Sequence, residues 1–129
     1  MTVLIRIAAG LFLIAHGLVH LLYLMPEKDD PSFPFTLKES WLVPEAARRP
    51  TGLVLMGATV TAFALLGLAV WGVPGLAGAW PLIGIIAAGL SIVLLVAFWN
   101  SRLSFGICID LALIALAVTR PEWIEKFVG

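Results

Sequence analysis

Apolar residues along the chain fall into four long runs, separated by shorter polar or glycine-rich stretches. The first run covers about residues 3–25, and the others cover about 51–71, 80–99 and 103–119. About 20 apolar residues are enough for an α-helix to cross the hydrocarbon layer of a bilayer. We therefore expect an all-α fold, an integral membrane four-helix antiparallel bundle that forms a single transmembrane domain over residues 1–129.

The breaks between these runs predict how the helices are connected. Pro26 should end the first helix, because proline lacks the amide hydrogen that a helix interior needs. Residues 26–50 are polar and rich in proline, which predicts a long loop, and Thr51 is suited to cap the second helix. The uncharged segment 72–78 predicts a hairpin between the second and third helices, and a short turn at 100–102 leads into the fourth.

Composition supports a lipid environment. Hydrophobic residues make up 61% of the chain and charged residues 12%, and the mean hydropathy is +1.07. Soluble domains are about one quarter charged, so this chain is far less polar than they are. The net charge is zero and the basic residues are scattered, which excludes a nucleic acid as the partner and leaves the lipid bilayer.

Charge near the helix ends predicts the orientation in the membrane. Four crossings place both termini on one side. That side carries three Lys and Arg residues, and the side of the long loop carries five. Cytoplasmic loops are enriched in Lys and Arg, so we expect both termini to lie outside. The expected location is the bacterial inner (plasma) membrane, as a multi-pass protein with a retained first helix.

A few polar residues occur inside the predicted helices, and they are concentrated in the half of the bilayer nearest the long loop. The helical rise of about 1.5 Å per residue places five of them at similar depth. These five are His16, His20, Thr59, Ser91 and Asp110, and we expect Tyr23, Asn100 and Arg102 at the mouth of the same layer. Ionisable groups in lipid are costly, so Asp110 should face the bundle and contact a histidine.

Three interpretations of this polar cluster remain open. It can be structural, with hydrogen bonds that join the first and fourth helices. It can bind a quinone or a lipid, whose headgroup contacts the polar layer while its tail lies in the apolar half. It can also bind a metal ion through His16, His20 and Asp110, because two histidines four residues apart share one helix face. The run H-G-L-V-H lacks the glutamate of a zinc-peptidase motif.

Small residues are frequent within the helices, among them Gly10 and Gly17, which are one heptad apart. Such residues allow helix backbones to approach closely in lipid. Cys108 is the only cysteine, so no internal disulfide can form. We expect Cys108 to be an inert packing residue within its apolar run.

Two segments carry a family resemblance. The opening RIAAGLFLIAHGLVHLLYL and the late FGICIDLALIALAV resemble small bacterial four-helix membrane proteins. They are also similar to the DoxX-like group, compact four-helix proteins that include subunits of quinone-linked oxidoreductases. The residues that carry the resemblance are Arg6, Gly10, His16, Gly17, His20 and Asp110. The resemblance implies a four-helix membrane fold and a link to quinone chemistry.

These observations predict an accessory or structural subunit that packs in a larger membrane assembly or as a homo-oligomer. The alternative is a redox or quinone- or lipid-binding protein that uses the intramembrane cluster of His16, His20 and Asp110. The sequence leaves open whether the protein is an enzyme.

Overall fold

The computed structural model describes residues 2–24 and 35–128, and this part of the chain is all-helical. Its helices are α1 (Thr2–Val19), α2 (Glu45–Val70), α3 (Trp80–Ala97), α4 (Ser104–Thr119) and α5 (Glu122–Val128). Short 3₁₀ turns extend α1 over His20–Leu24 and precede α3 and α4 at Ala77–Ala79 and Ser101–Leu103. Together with these turns, α1 to α4 are each long and apolar enough to cross a membrane. The predicted all-α membrane fold is therefore confirmed.

The bundle is assembled in chain order. Helix α1 packs along α2, α2 along α3, and α3 along α4, whereas α1 and α4 contact each other only sparsely. The bundle is therefore open along one side, which we call the α1–α4 seam. Helices α1 and α4 are also the least buried of the four. Cys108, which we expected to be a packing residue, is exposed on the outer side of α4.

The second helix begins earlier than the sequence predicted. It starts at Glu45 with Pro44 at the N-cap position, so Pro50 and Thr51 lie within the helix and Thr51 is not its cap. The fixed φ of proline is compatible with helix, and its missing amide removes one backbone bond near the start of a 26-residue element. The polar loop predicted over 26–50 ends before Glu45 as a result, and its residues 26–34 lie outside the described part.

The segment that precedes α2 is fastened to the end of α3. The Ser40 hydroxyl donates to the Ala97 carbonyl at 2.5 Å, and the Trp41 indole donates to the Val96 carbonyl at 2.6 Å. Carbonyls in the last turn of a helix have no partner within the helix, so these bonds satisfy them. Arg48 of α2 also fastens this segment, because its guanidinium donates to the carbonyls of Val43, Lys38 and Ser40.

Glycines set the close contact between α1 and α2. A Cβ atom added at Gly17 would lie 2.5 Å from the Cβ of Phe63, and one added at Gly67 would lie 2.6 Å from the Ile14 side chain. Neither position can hold a larger residue unless the helices separate. The expectation that small residues bring the helices together therefore holds at this interface.

The chain turns sharply after α4. Arg120 adopts a left-handed conformation, with φ 46° and ψ 57°, and its amide donates to the Leu116 carbonyl. Its guanidinium then donates twice to the Glu125 carboxylate, each time at 3.0 Å. Hydrogen bonding to Arg120 lowers the pKa of the Glu125 carboxyl below its ordinary value. This pair links α5 to the residue that ends α4, and Val128 of α5 is buried against the bundle.

Candidate functional site

A continuous chain of hydrogen bonds joins three helices inside the predicted membrane layer. His16 Nε2 of α1 lies 2.9 Å from Asp110 Oδ1 of α4. The other carboxyl oxygen, Oδ2, lies 2.5 Å from the Ser91 hydroxyl of α3. That hydroxyl lies 2.9 Å from Nε2 of His20. Asp110 and Ser91 are fully buried, and His20 is 2% exposed.

His20 sits where the α-helical part of α1 ends. Its Nδ1 lies 3.1 Å from the carbonyl of His16 and 3.1 Å from that of Gly17. The α-helix changes to 3₁₀ geometry at His20, and lipid offers no water to these carbonyls as another donor. The ring of His20 therefore satisfies these carbonyls through one nitrogen and contacts Ser91 through the other.

Aromatic rings fix the orientation of both imidazoles. Phe63 of α2 meets His16 edge-on, with ring centroids 4.9 Å apart, and lies nearly parallel to His20 at 6.3 Å. The absence of a side chain at Gly17 leaves the room that Phe63 occupies. Phe12 stacks on the other side of His16 at 6.3 Å. The two rings are therefore held by packing as well as by hydrogen bonds.

A cavity of about 350 Å³ opens beside this chain at the α1–α4 seam. Both histidines line it, and Arg102 is the only lining residue, among those described, with a permanent charge. The rest of its wall is apolar and includes Phe12, Val19, Leu95, Phe105 and Ile109. The wall thus combines an apolar surface with two imidazoles that are held in place by hydrogen bonds to Asp110 and Ser91.

A second cavity, of about 200 Å³, lies along the same seam towards α5. Its described lining is apolar and comes from all five helices, with Leu113 and Phe127 among its members. Phe12 lines both cavities. Among the described residues, the first cavity thus has ionisable groups in its wall and the second has none.

Three other predicted site residues, Thr59, Tyr23 and Asn100, lie outside the hydrogen-bonded chain. Thr59 is fully buried, but its hydroxyl donates to the Leu55 carbonyl one turn earlier and does not join the chain. Tyr23 is buried between Phe35 and Phe98, and its hydroxyl makes no hydrogen bond within the described residues. The Asn100 side chain accepts from the amide of Arg102, so it shapes the turn before α4.

The metal interpretation receives no support from the geometry. Within residues 2–24 and 35–128, no group of three His, Cys, Asp or Glu side chains is placed to hold a metal ion. Nε2 of His16 contacts Asp110, and Nε2 of His20 contacts Ser91, so these nitrogens have separate partners. The three predicted ligands form a hydrogen-bonded chain and not a coordination shell.

Several residues that shape the site were not predicted from the sequence. Gly106 lines the cavity, where an added Cβ would lie 3.2 Å from Leu95 and 4.0 Å from Cε1 of His16. The position of Gly106 one turn before Asp110 was a usable signal, because both residues face the same neighbour. Phe12 and Phe63 carried the same signal, since Phe12 lies one turn before His16 and Phe63 one turn after Thr59.

Comparison with known proteins adds no relative. No protein family, no curated protein and no solved structure matches this chain.

Proposed function

We propose that this multi-pass membrane protein binds an amphiphile of the quinone or lipid class in the cavity at the α1–α4 seam. The observation that carries the proposal is the wall of that cavity, which is apolar except for His16, His20 and Arg102. Ligand sites have this character, because apolar surface provides affinity and a few fixed polar groups provide orientation. Both imidazoles are positioned by buried partners, as a binding site requires.

The dimensions of the seam support the same class of ligand. A volume of about 350 Å³ lies at the lower end of the range for small-molecule sites, about 300–1,000 Å³, and suits a headgroup of one ring. The neighbouring apolar cavity of about 200 Å³ suits part of a hydrocarbon tail. An amphiphile would place its polar end at the histidines and its chain along the seam.

A glycine substitution tests the proposal directly. In Gly106→Leu the new side chain projects from the wall of the cavity, and we expect it to weaken binding of a quinone with a ten-carbon chain by about tenfold or more. The matched control is Gly57→Leu, because Gly57 has open space around it and lies outside the cavity. Binding is measured by equilibrium titration of protein in lipid nanodiscs.

Equal affinities for wild type and Gly106→Leu, in variants of equal thermal stability, would contradict the proposed site. A wild type that binds neither the quinone nor a co-purified lipid would refute the function itself. We also propose that the protein resides in the bacterial inner membrane with both termini outside.

A second candidate function is that of an accessory subunit, in a larger assembly or as a homo-oligomer. The outer faces of α1 and α4 support it, since Leu4 and Val118 are each at least 65% exposed. Lipid alone can also cover these faces, so crosslinking in native membranes is the test. Capture of a single defined partner, or of a second copy, through α1 or α4 would favour this candidate. A DoxX-like role beside a quinone-linked enzyme would unite the two functions.

A further inference from the structure

The hydrogen-bonded chain restricts where its protons can be. Nδ1 of His20 faces two backbone carbonyls, which can only accept, so this nitrogen carries a hydrogen. Ser91 has one hydroxyl hydrogen but two partners, the carboxyl of Asp110 and Nε2 of His20. One of these two partners must therefore donate to the serine oxygen and the other must accept from it.

Two arrangements without net charge satisfy every bond in the chain. In the first, Asp110 is a carboxylate and accepts from Ser91, and His20 is an imidazolium that donates to Ser91. In the second, Asp110 is a carboxylic acid that donates to Ser91, which donates to a neutral His20. The same number of protons is present in both, and shifting two of them through the serine hydroxyl interconverts the arrangements.

With a neutral His16, both arrangements carry no net charge. Removing one proton leaves one bond of the chain unmade and a negative charge in a membrane interior, and adding one leaves a positive charge. Asp110 and Ser91 have no exposed surface on which water could compensate for such a charge. The neutral count of protons is therefore the one that the buried geometry favours.

The number of protons in the neutral chain determines which ring nitrogen of His16 carries a hydrogen. In both neutral arrangements Nε2 of His16 donates to Oδ1 of Asp110, so its Nδ1 is without a hydrogen and can only accept. Nδ1 of His16 makes no hydrogen bond with the described residues. It is also not one of the fully buried polar atoms without a partner, so it is not fully buried. Since His16 lines the cavity and its Nε2 is engaged with Asp110, Nδ1 is the ring nitrogen left for a ligand there to meet.

We infer that the ligand presents a hydroxyl donor to Nδ1 of His16, and that the site prefers the hydroquinone form of a quinone-class amphiphile to its oxidised form. This inference rests on the proposed function. A hydroquinone carries the O–H groups that such an acceptor requires, whereas the oxidised quinone offers only carbonyl acceptors. A carbonyl placed against Nδ1 would set two lone pairs against each other and leave a buried acceptor unsatisfied.

Three probes with the same ten-carbon chain test the preference in nanodiscs under anaerobic conditions. They are the hydroquinone, the quinone, and the dimethyl ether of the hydroquinone, which keeps the substituted ring but has no donor. We expect the hydroquinone to bind about tenfold more tightly than either of the others, as one unmade buried hydrogen bond implies. Equal or tighter binding of the quinone or the ether would overturn the inference.

A second measurement tests the proton arrangement without any ligand. Nitrogen-15 NMR of histidine-labelled protein should show His16 with hydrogen on Nε2 only and His20 with hydrogen on Nδ1. Hydrogen on Nδ1 of His16 would overturn the inference even if a quinone binds. If no probe binds while the spectrum is as expected, the proposed function fails, the ligand preference fails with it, and the arrangement of the chain stands.

Discussion

Replacing Asp110 distinguishes the hydrogen bonds of this residue from its charge. Alanine at position 110 removes the bonds to His16 and Ser91 and leaves both partners buried. Asparagine can reproduce the arrangement in which Asp110 is a carboxylic acid. Its oxygen accepts from Nε2 of His16, and its amide donates to Ser91, which then donates to His20.

The geometry sets the expected magnitudes. Hydrogen bonds between membrane helices contribute on average about 0.6 kcal/mol and at most about 1.7 kcal/mol each. Two such bonds, which tie α4 to α1 and α3, give a loss of about 1–3 kcal/mol in the free energy of unfolding for Asp110→Ala. For Asp110→Asn we expect a change within about 0.5 kcal/mol of wild type, because all three bonds of the chain can be made.

Unfolding in mixed micelles, followed by tryptophan fluorescence as the denaturing detergent increases, measures both variants against wild type. Ser91→Ala is a useful companion, because it separates Asp110 from His20 and leaves the His16–Asp110 bond in place. An Asp110→Asn protein as unstable as Asp110→Ala would refute the arrangement in which Asp110 is a carboxylic acid, since it would mean that the carboxylate charge is needed. An Asp110→Ala protein as stable as wild type would refute any energetic role for the chain.

Three further predictions concern other parts of the molecule. Gly17→Val should lower the free energy of unfolding by about 1–3 kcal/mol, because the new side chain meets Phe63, whereas Gly57→Val in open space should change it little in the same micelle assay. Arg48→Gln should increase proteolytic cleavage within residues 35–44, since Arg48 donates to three carbonyls there, and Arg49→Gln, at an exposed neighbouring position, is the control for lost charge. The pKa of Glu125 is lowered on folding, so its bond to Arg120 stabilises α5 fully above the ordinary carboxyl pKa and is lost as the pH falls through the lowered value. The protection of the α5 amides, taken as hydrogen exchange relative to the unfolded rate at each pH, should therefore fall in that acid range in wild type. It should be reduced already at neutral pH in Glu125→Gln but not in Glu122→Gln, and unchanged protection in Glu125→Gln would show that the pair does not stabilise α5.

The sequence predicted the membrane fold because apolar length is nearly sufficient to identify a spanning helix. It did not predict the start of α2, since Pro50 suggested a boundary and only the packed structure shows that the helix continues through it. The residues that brought the helices together were visible as glycines. Their partners were not, because contact with Phe63 or Ile14 depends on how each helix is rotated about its axis.

The candidate site, like the fold, was predicted from the sequence only in part. Depth along a helix follows from residue number, so His16, His20, Ser91 and Asp110 were grouped together, and the structure brings these four side chains into one hydrogen-bonded chain. Thr59 lies at the same depth and is equally buried, yet its hydroxyl bonds to its own helix, as threonine hydroxyls often do. Depth therefore identified the candidates, and only the rotation of each helix determined which of them meet.

Within the described residues, one side-chain hydrogen bond joins α1 and α4 across the seam, that of His16 with Asp110. Parting the two helices therefore breaks about one hydrogen bond and little interlocked packing. A ligand of the proposed class, dissolved in the surrounding leaflet, would therefore reach the imidazoles sideways, between the two helices, without passing through water. Its rate of entry would then follow the fluidity of the bilayer and its concentration in the lipid phase.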